Sequence, residues 1–347
     1  MARKMIATLA TGVTFELVAN ETILEAADRA ELWLPSACRT GACGSCKVTI
    51  SRGEFRHVGP TGALGAAELG SCVALLCRAH PLTDIHIDVS ELSEPPACEK
   101  PPTPARVIEL NRENDAIMRV VLRFPPLDRL DFVPGQFIGI RHSDGVDRCF
   151  SIANSPRPDG TVELHIGRVI GGAFTSRVFD VLKVNDVLSV TGPFGRFGYA
   201  SNFNPAIFVA GGTGIAPVYS ILESIGGDST VPMHLYWGSR AKAGLYLDCE
   251  LRELSAGRAA LKYVPVVSEV DTAWTGRTGL VHDAVLDDFS DLSDFDIYAC
   301  GSPAMVDATW KAFVRRGARP ERFFADSFDF SRPSGRRARF PSAQERP

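Results

Sequence analysis

Three cysteines lie close together in the stretch ACRTGACGSC, residues 37–46, and glycine, alanine and serine fill most of the space between them. Thiols this close can form disulfides, bind zinc, act as a redox pair or ligate an iron–sulfur cluster. The chain has nine cysteines, an odd number, and its N-terminal segment lacks the continuous apolar stretch of a secretory signal. We therefore expect a cytoplasmic protein with reduced thiols, which favours metal ligation as the role of this group.

The spacing of the cysteines narrows the choice of metal site. Cys38, Cys43 and Cys46 are spaced C-x4-C-x2-C, and Cys77 follows in the segment ALLCRAH. This pattern resembles that of the plant-type [2Fe–2S] ferredoxins, in which four thiolates hold two irons. Glycine between the ligands suits this role, because it lets the backbone curl close to the cluster sulfurs. The resemblance implies a [2Fe–2S] cluster on these four cysteines, in an α+β domain of the β-grasp type.

Other roles for these thiols stay open on the sequence alone. A structural zinc site usually joins two CxxC pairs, and unligated core or reactive thiols are a further alternative. Cys72 competes with Cys77 for the place of the fourth ligand, although the resemblance favours the segment that holds Cys77.

A proline-rich segment, residues 93–104, has five prolines in twelve residues and predicts an extended linker. It ends a first domain, residues 1–92, in which MIATLA and VTFELV predict a hairpin, TILEAADRAELWL predicts a helix, and KVTI and DIHIDV predict strands.

The spacing pattern of apolar residues changes twice after the linker. Residues 105–200 contain many short apolar runs with proline and glycine between them, which predicts an antiparallel β-barrel. Strand and helix patterns alternate over residues 201–330, which predicts an α/β domain with a parallel sheet. The last segment, residues 331–347, has five arginines against one glutamate and predicts a disordered tail, with a docking role as the alternative.

Four motifs of the middle domain are PGQF, RCFS, GGAFTS and TGPFG. RCFS alone is compatible with an ordinary strand that carries a surface arginine. In this order, however, the motifs resemble the ferredoxin–NADP reductase-like flavoproteins. The resemblance implies that Arg148 binds a flavin phosphate, Phe150 packs on the isoalloxazine and the hydroxyl of Ser151 approaches the reactive ring nitrogen. It also implies that a turn formed by Gly171, Gly172 and Ser176 binds the pyrophosphate.

The family usually has tyrosine where this chain has Phe150, so ring packing is retained and a phenolic hydrogen bond is lost. We expect FAD as the flavin, with FMN as the alternative.

The segment AIFVAGGTGIAP predicts a strand, a tight turn and the start of a helix. A glycine turn here lets the backbone approach a pyrophosphate at a helix N-terminus, although many such turns are only structural. The resemblance makes it the nicotinamide-nucleotide turn, comprising Gly211, Gly212, Thr213 and Gly214.

Two further motifs of the C-terminal domain resemble those of the same superfamily. YACGSPAM implies that Cys300 lies beside the nicotinamide ring, with a buried core thiol as the alternative. FFADSF implies that Asp326 and Phe328 lie near the flavin. With Ser151, Cys300 and Asp326 are the candidate catalytic residues.

No acidic residue follows LYWG to accept a ribose hydroxyl, and Arg240 and Lys242 there could meet a 2′-phosphate or be solvated loop charges. Because similar oxygenase reductases use NADH, we expect NADH, with NADPH as the alternative.

The domain order resembles the single-chain reductases of bacterial multicomponent oxygenases, and the C-terminal half also resembles CDP-6-deoxyglucoseen reductase. This implies an NAD(P)H-dependent enzyme that passes electrons through FAD and the cluster to a terminal oxygenase, a Rieske-type aromatic-ring hydroxylase or demethylase, or to a ferredoxin acceptor. A reductase of CDP-deoxysugar synthesis is the alternative. A redox-sensing or structural cluster protein is a third hypothesis.

Composition limits the partners. The net charge is −4, which does not favour nucleic acid, and no run approaches the roughly 20 apolar residues of a membrane span. We expect no nucleic-acid or membrane partner and a monomeric protein.

Overall fold

The structure is a computed structural model. It describes residues 5–18, 20–30, 32, 34, 41, 46–61, 63–65, 67–89, 102–141, 147–195, 197–200, 203–269, 274–319 and 322–327. The predicted ligands Cys38 and Cys43, the predicted flavin neighbour Phe328 and the predicted tail lie outside these residues.

The N-terminal part opens with the predicted hairpin. Strands β1 (Met5–Leu9) and β2 (Thr14–Leu17) pair antiparallel, and Gly12 turns the chain between them with a φ of +85°. Helix α1 (Ile23–Arg29) begins at a capping box of Thr22 and Glu25. It ends before Leu32, whose apolar spacing predicted a longer helix; Leu32 packs against the core from beyond the last turn.

The rest of this part forms a mixed sheet beside α1. Its further strands are β3 (Lys47–Arg52), β4 (Phe55–His57), β5 (Val73–Leu75), β6 (Ala79–Pro81) and β7 (Ile85–Ile87). The main sheet has the order β2-β1-β7-β3-β5, and β4 and β6 form a separate pair. The apolar faces of α1 and the sheet enclose one core, which also contains Cys46 and Cys77.

The middle part is an antiparallel sheet with one helix. Its elements are β8 (Thr103–Arg112), β9 (Ile117–Arg123), β10 (Phe137–Arg141), β11 (Asp147–Ser151), β12 (Thr161–Gly167), α2 (Ala173–Asp180) and β13 (Val187–Phe194). The strand order is β11-β10-β13-β8-β9-β12. An isolated bridge between Ile152 and Leu164 brings the two ends of the sheet together. The predicted strand runs thus form one sheet around a single apolar core.

The C-terminal part alternates strands and helices as predicted. Its elements are β14 (Ala206–Gly211), α3 (Ile215–Ser224), β15 (Met233–Ser239), α4 (Asp248–Ala256), β16 (Leu261–Val267), β17 (Arg277–Thr278), α5 (Val281–Asp288), β18 (Asp296–Gly301), α6 (Pro303–Val314) and β19 (Phe323–Ser327). All pairs are parallel, and separate apolar cores cover the two faces of the sheet.

The strand order β17-β16-β15-β14-β18-β19 places β15 and β18 on opposite sides of β14. The chain therefore reverses direction across the sheet at β14, and open α/β sheets bind ligands at the carboxyl ends of strands beside such a point. Among the helices of the described residues, none is long and apolar enough to cross a membrane.

Candidate functional site

Two of the four predicted cluster ligands are brought together in the N-terminal core. Cys46 directly precedes β3 and Cys77 lies two residues after the end of β5, and these strands are paired. The two side chains are 2% and 6% exposed, and their Sγ atoms lie 3.2 Å apart. The competing residue Cys72 is exposed, which supports Cys77 as the partner of Cys46.

The backbone beside this thiol pair admits only glycine at one position. Gly41 has a φ of +83°, and a Cβ there would overlap the Pro60 carbonyl oxygen and lie 3.1 Å from Cγ of Arg78. The buried thiols and this constricted segment fit the tightly wrapped loop of a [2Fe–2S] cluster. Elsewhere in the described part of the chain, no three histidine, cysteine or acidic side chains form a metal-binding group.

Strand β11 carries the three predicted flavin contacts. Phe150 stacks on Phe174 of α2, with 5.3 Å between ring centroids. Ser151 pairs with Phe137 on β10 and is 5% exposed. Its buried hydroxyl has no hydrogen-bond partner among the described residues, as expected of a group that bonds to a ligand. Arg148 is partly buried on the same strand. The site thus fits a flavin.

The turn before α2 has the predicted glycines and one contact that the sequence reasoning missed. Gly171 has a φ of +74° with no atoms close to its Cβ position, and Gly172 caps the helix. The Thr175 hydroxyl accepts a hydrogen bond from the Val169 amide at 3.1 Å and lies 3.2 Å from the Gly172 carbonyl. Thr175 therefore closes the turn, and the neighbouring Ser176 is partly buried. The two adjacent hydroxyl residues in AFTS, Thr175 and Ser176, were the sequence signal that could have indicated this contact.

The second glycine turn lies at the carboxyl end of β14. Gly211 ends the strand, and a single 3-10 turn, Gly212–Gly214, leads into α3. A Cβ at Gly214 would overlap the carbonyl oxygen of Cys300. Gly212 has a φ of +55° and open space around its Cβ position. The turn is therefore packed tightly against β18 at one end and open to a ligand in its middle.

Cys300 and Asp326 are cross-strand neighbours at the same edge of the sheet, on β18 and β19. Both are buried, at 0% and 4% exposure. Burial raises the pKa of the Cys300 thiol well above its usual value, and the charge of Asp326 adds to the effect. Cys300 is therefore a neutral thiol at pH 7.

The middle and C-terminal sites adjoin each other. A Cβ on Gly167, at the end of β12, would lie 3.4 Å from Cγ2 of Thr213 in the second glycine turn. A ligand on that turn would consequently lie close to the middle sheet. Arg240 and Lys242 are both exposed beyond β15, at the same end of the C-terminal sheet.

Three family models match successive parts of the chain: a 2Fe-2S iron–sulfur cluster binding domain at residues 7–82, an oxidoreductase FAD-binding domain at 104–199 and an oxidoreductase NAD-binding domain at 208–311. CDP-6-deoxy-L-threo-D-glycero-4-hexulose-3-dehydrase reductase of Yersinia pseudotuberculosis is 36% identical over 319 residues, which cover 92% of this chain and 96% of the relative. The chain belongs to the single-chain iron–sulfur flavoprotein reductases.

Two further relatives of this reductase are similar over most of their length. The phenol hydroxylase P5 protein of Acinetobacter pittii is 35% identical, with 90% of this chain and 92% of the relative covered. A solved structure, the Amycolatopsis cytochrome P450 reductase GcoB, matches with a TM-score of 0.65 and 31% identity over 93% of this chain and 98% of that one.

The reductase is therefore an NAD(P)H-dependent oxidoreductase whose cofactors are a [2Fe–2S] cluster, FAD and a nicotinamide nucleotide. The prediction of a multidomain protein with an iron–sulfur, a flavin and a nicotinamide domain is confirmed.

Proposed function

We propose that this reductase takes hydride from NADH and delivers single electrons, through FAD and the [2Fe–2S] cluster, to a terminal oxygenase component. The observation that carries the proposal is the buried Cys46–Cys77 pair in a chain that also has flavin and nicotinamide domains. NADH gives up two electrons together and a [2Fe–2S] centre accepts one, whereas a flavin can hold one or two.

In this proposal the middle domain, residues 105–200, closes as a β-barrel and holds FAD rather than FMN. Arg148 pairs with a flavin phosphate, because its guanidinium presents a fixed fork of donors. Phe150 supports the ring system and the Ser151 hydroxyl donates to it. Gly171, Gly172 and Ser176 surround the pyrophosphate at the start of α2, while Thr175 keeps the turn closed.

The C-terminal domain, residues 201–330, binds NADH on Gly211, Gly212, Thr213 and Gly214. Cys300 packs beside the nicotinamide as a neutral thiol, since its pKa is raised by burial. Asp326 and Phe328 complete the surroundings of the reacting rings. NADH is the proposed donor because similar oxygenase reductases use it, and the exposed Arg240 and Lys242 are then solvated loop charges.

Electrons leave through the N-terminal domain, residues 1–92, which we propose to be a β-grasp ferredoxin domain with Cys38, Cys43, Cys46 and Cys77 as ligands. The proline-rich residues 93–104 link it to the flavin domain, and the last two of them, Thr103 and Pro104, already belong to β8. The reductase acts as a cytoplasmic monomer that meets its acceptor, an oxygenase component or a ferredoxin, without nucleic acid or membrane. The first 95 residues contain eight basic and eleven acidic residues, which favours a basic docking patch on the acceptor.

Two relatives support an oxygenase as the acceptor, since one is named for phenol hydroxylase and another for a cytochrome P450. The aromatic-ring hydroxylase or demethylase of Rieske type stays a prediction within this proposal. A second candidate for the acceptor is a dehydrase of CDP-deoxysugar synthesis. The Yersinia relative supports it, because the similarity covers 96% of that dehydrase reductase.

Two measurements test these proposals in order. Rapid NADH-dependent reduction of cytochrome c shows one-electron output, and its absence would leave only a sensing or structural cluster. Affinity capture on the purified reductase from a lysate of the source organism, with mass spectrometry, then identifies the acceptor. We expect an oxygenase component; specific capture of a nucleotide-sugar dehydrase instead would favour the second candidate.

A further inference from the structure

A chain of buried polar contacts crosses the boundary between the middle and C-terminal domains. Glu163 and His165 lie two residues apart on β12, on one face of the strand, and each is 4% exposed. His165 Nε2 lies 3.1 Å from Glu163 Oε1. On the other side of the boundary, the Tyr246 hydroxyl lies 2.9 Å from His165 Nδ1.

The charges around Glu163 fix the direction of these hydrogen bonds. Burial alone would raise the pKa of Glu163, but hydrogen bonds from His165 and Arg119 and the charge of Arg119 lower it to about 2. The carboxylate therefore accepts a hydrogen bond from the N–H at Nε2 of His165. Burial lowers the pKa of His165, so its ring is neutral and its Nδ1 is an acceptor. Tyr246, whose pKa burial raises well above its usual value, is consequently the donor.

The ring of Tyr246 continues this chain toward the second glycine turn. It packs edge-on against Trp237 of β15, with 5.4 Å between ring centroids. The Trp237 indole N–H donates to the carbonyl oxygen of Gly212 at 2.9 Å. Four consecutive contacts therefore connect Glu163, on the flavin side, with Gly212, in the turn assigned to the nicotinamide nucleotide.

Other contacts hold the two domains together independently of Tyr246. The Ser220 hydroxyl donates to the Asn154 carbonyl at 2.6 Å, and the Ser155 amide donates to Glu223 at 2.9 Å. Loss of one hydroxyl from Tyr246 should therefore leave the domains in contact. The loss of this hydroxyl should therefore affect only the positions of Trp237 and Gly212.

We propose that Tyr246 is a positioning residue for hydride transfer: through its hydrogen bond to His165 and its contact with Trp237, it fixes the Gly212 turn relative to the flavin domain. This inference rests on the proposed binding of NADH at that turn. Small displacements of a bound reactant have large effects on rate, because transfer needs the reacting atoms in close alignment.

The test compares Tyr246→Phe with Tyr263→Phe in the full-length holoenzyme. Tyr246→Phe keeps the ring on Trp237 and removes only the donor. Tyr263 is the matched control, since its hydroxyl donates to Asp248 at 3.0 Å within the C-terminal domain alone. Anaerobic stopped-flow reduction of bound FAD by NADH gives the limiting rate and the apparent Kd separately. Hydrogen–deuterium exchange of peptides that cover residues 208–216, measured without NADH, reports the turn itself.

We expect Tyr246→Phe to lower the limiting rate about tenfold, to change the Kd for NADH less than about twofold and to speed exchange in the turn. Tyr263→Phe should leave the rate and the exchange at wild-type values. Equal behaviour of the two variants, or unchanged exchange in Tyr246→Phe, would overturn the inference. If wild-type FAD were not reduced by NADH at all, the proposed function would fail instead, and exchange would still test the contact.

A second pair of variants covers the case in which Tyr246→Phe loses its FAD or does not fold. His165→Asn keeps an acceptor near the Nδ1 position, whereas His165→Leu removes it. We expect turn exchange near wild type for the asparagine variant and faster exchange for the leucine variant. The same exchange in both would contradict a role for this hydrogen bond.

Discussion

At the scale of single residues, the two described thiols show how the first domain reconciles a metal site with a core. Cys46 and Cys77 belong to the same apolar cluster as the strands that flank them. Burial disfavours an isolated thiolate, so these sulfurs can be deprotonated here only when a metal neutralises them, whereas as neutral thiols they pack like small apolar side chains. The sequence spacing could indicate such a site, but it could not decide between Cys72 and Cys77, because that choice depends on which cysteine the β5 segment buries.

Replacing Cys77 by serine should separate the two halves of the electron path. We expect Cys77→Ser to keep NADH-dependent reduction of FAD and to lose cytochrome c reduction, because the exit cluster lacks one thiolate. Iron content, flavin absorbance and the cytochrome c rate measure these effects. Cys72→Ser, at an exposed cysteine, is the control and should behave as wild type. Full cytochrome c activity in Cys77→Ser would mean that the ligand is misassigned.

Arg148 offers a test of the flavin site. A charge-assisted hydrogen bond contributes about 1.5–3 kcal/mol, so Arg148→Ala should bind FAD roughly 10- to 100-fold more weakly. The FAD content per chain after extensive dialysis is the measurement. Arg106→Ala, which removes an exposed arginine from β8 of the same sheet, should retain its flavin. Unchanged FAD content in Arg148→Ala would count against the assigned role.

At the scale of elements, β12 shows where pattern reasoning stops. Val162, Leu164 and Ile166 alternate with Glu163 and His165, and this alternation predicts one buried and one solvated face. Both polar side chains are nevertheless 4% exposed. Tyr246 of the C-terminal domain, 81 positions further along the chain, contacts His165, while Arg119 and Arg157 of the middle domain pair with Glu163. No local pattern carries that information.

Elements with a clear apolar period can be predicted from the sequence, whereas elements without one cannot. The strand runs of β9 and β16 and the helix α6 follow directly from their residues. Helix α4 buries only Leu251, so its sequence has little apolar signal. Strand β17 has two residues and depends on its pairing with β16.

Acid should destabilise the middle domain through Glu163 and His165. The folded pKa values of both groups lie below their usual ones, so their contributions are complete above about pH 6.5 and are lost toward acid. His165 loses its contribution below its usual pKa of 6.5, and Glu163 loses its contribution between its usual 4.5 and about 2. Glu163, together with its partners His165 and Arg119, should contribute on the order of 3 kcal/mol at pH 7.

Urea unfolding of the holoenzyme, followed by FAD fluorescence at a series of pH values, measures this loss. Glu163→Gln should be less stable at pH 7 and should show a flatter pH dependence below pH 5. Asp180→Asn, which breaks an exposed ion pair with Arg168, should keep the wild-type profile. A wild-type profile in Glu163→Gln would refute this account of the pair.

At the scale of the whole molecule, the three domains lie along the chain in the reverse of the order in which electrons would pass. The nicotinamide domain is at the C-terminus, the flavin domain is in the middle and the cluster domain is at the N-terminus. The composition shifts along the sequence predicted this division. The contact between Gly167 and Thr213, which brings the second and third domains together at their sites, could not be predicted, because it depends on how the domains pack.

The most direct test of the relay is anaerobic addition of NADH to the reconstituted reductase without any acceptor. The account predicts about two irons and two acid-labile sulfides per chain, with FAD reduced first and a reduced [2Fe–2S] signal then appearing by electron paramagnetic resonance. Protein that holds no iron or sulfide, or a cluster that stays oxidised while FAD is fully reduced, would contradict it.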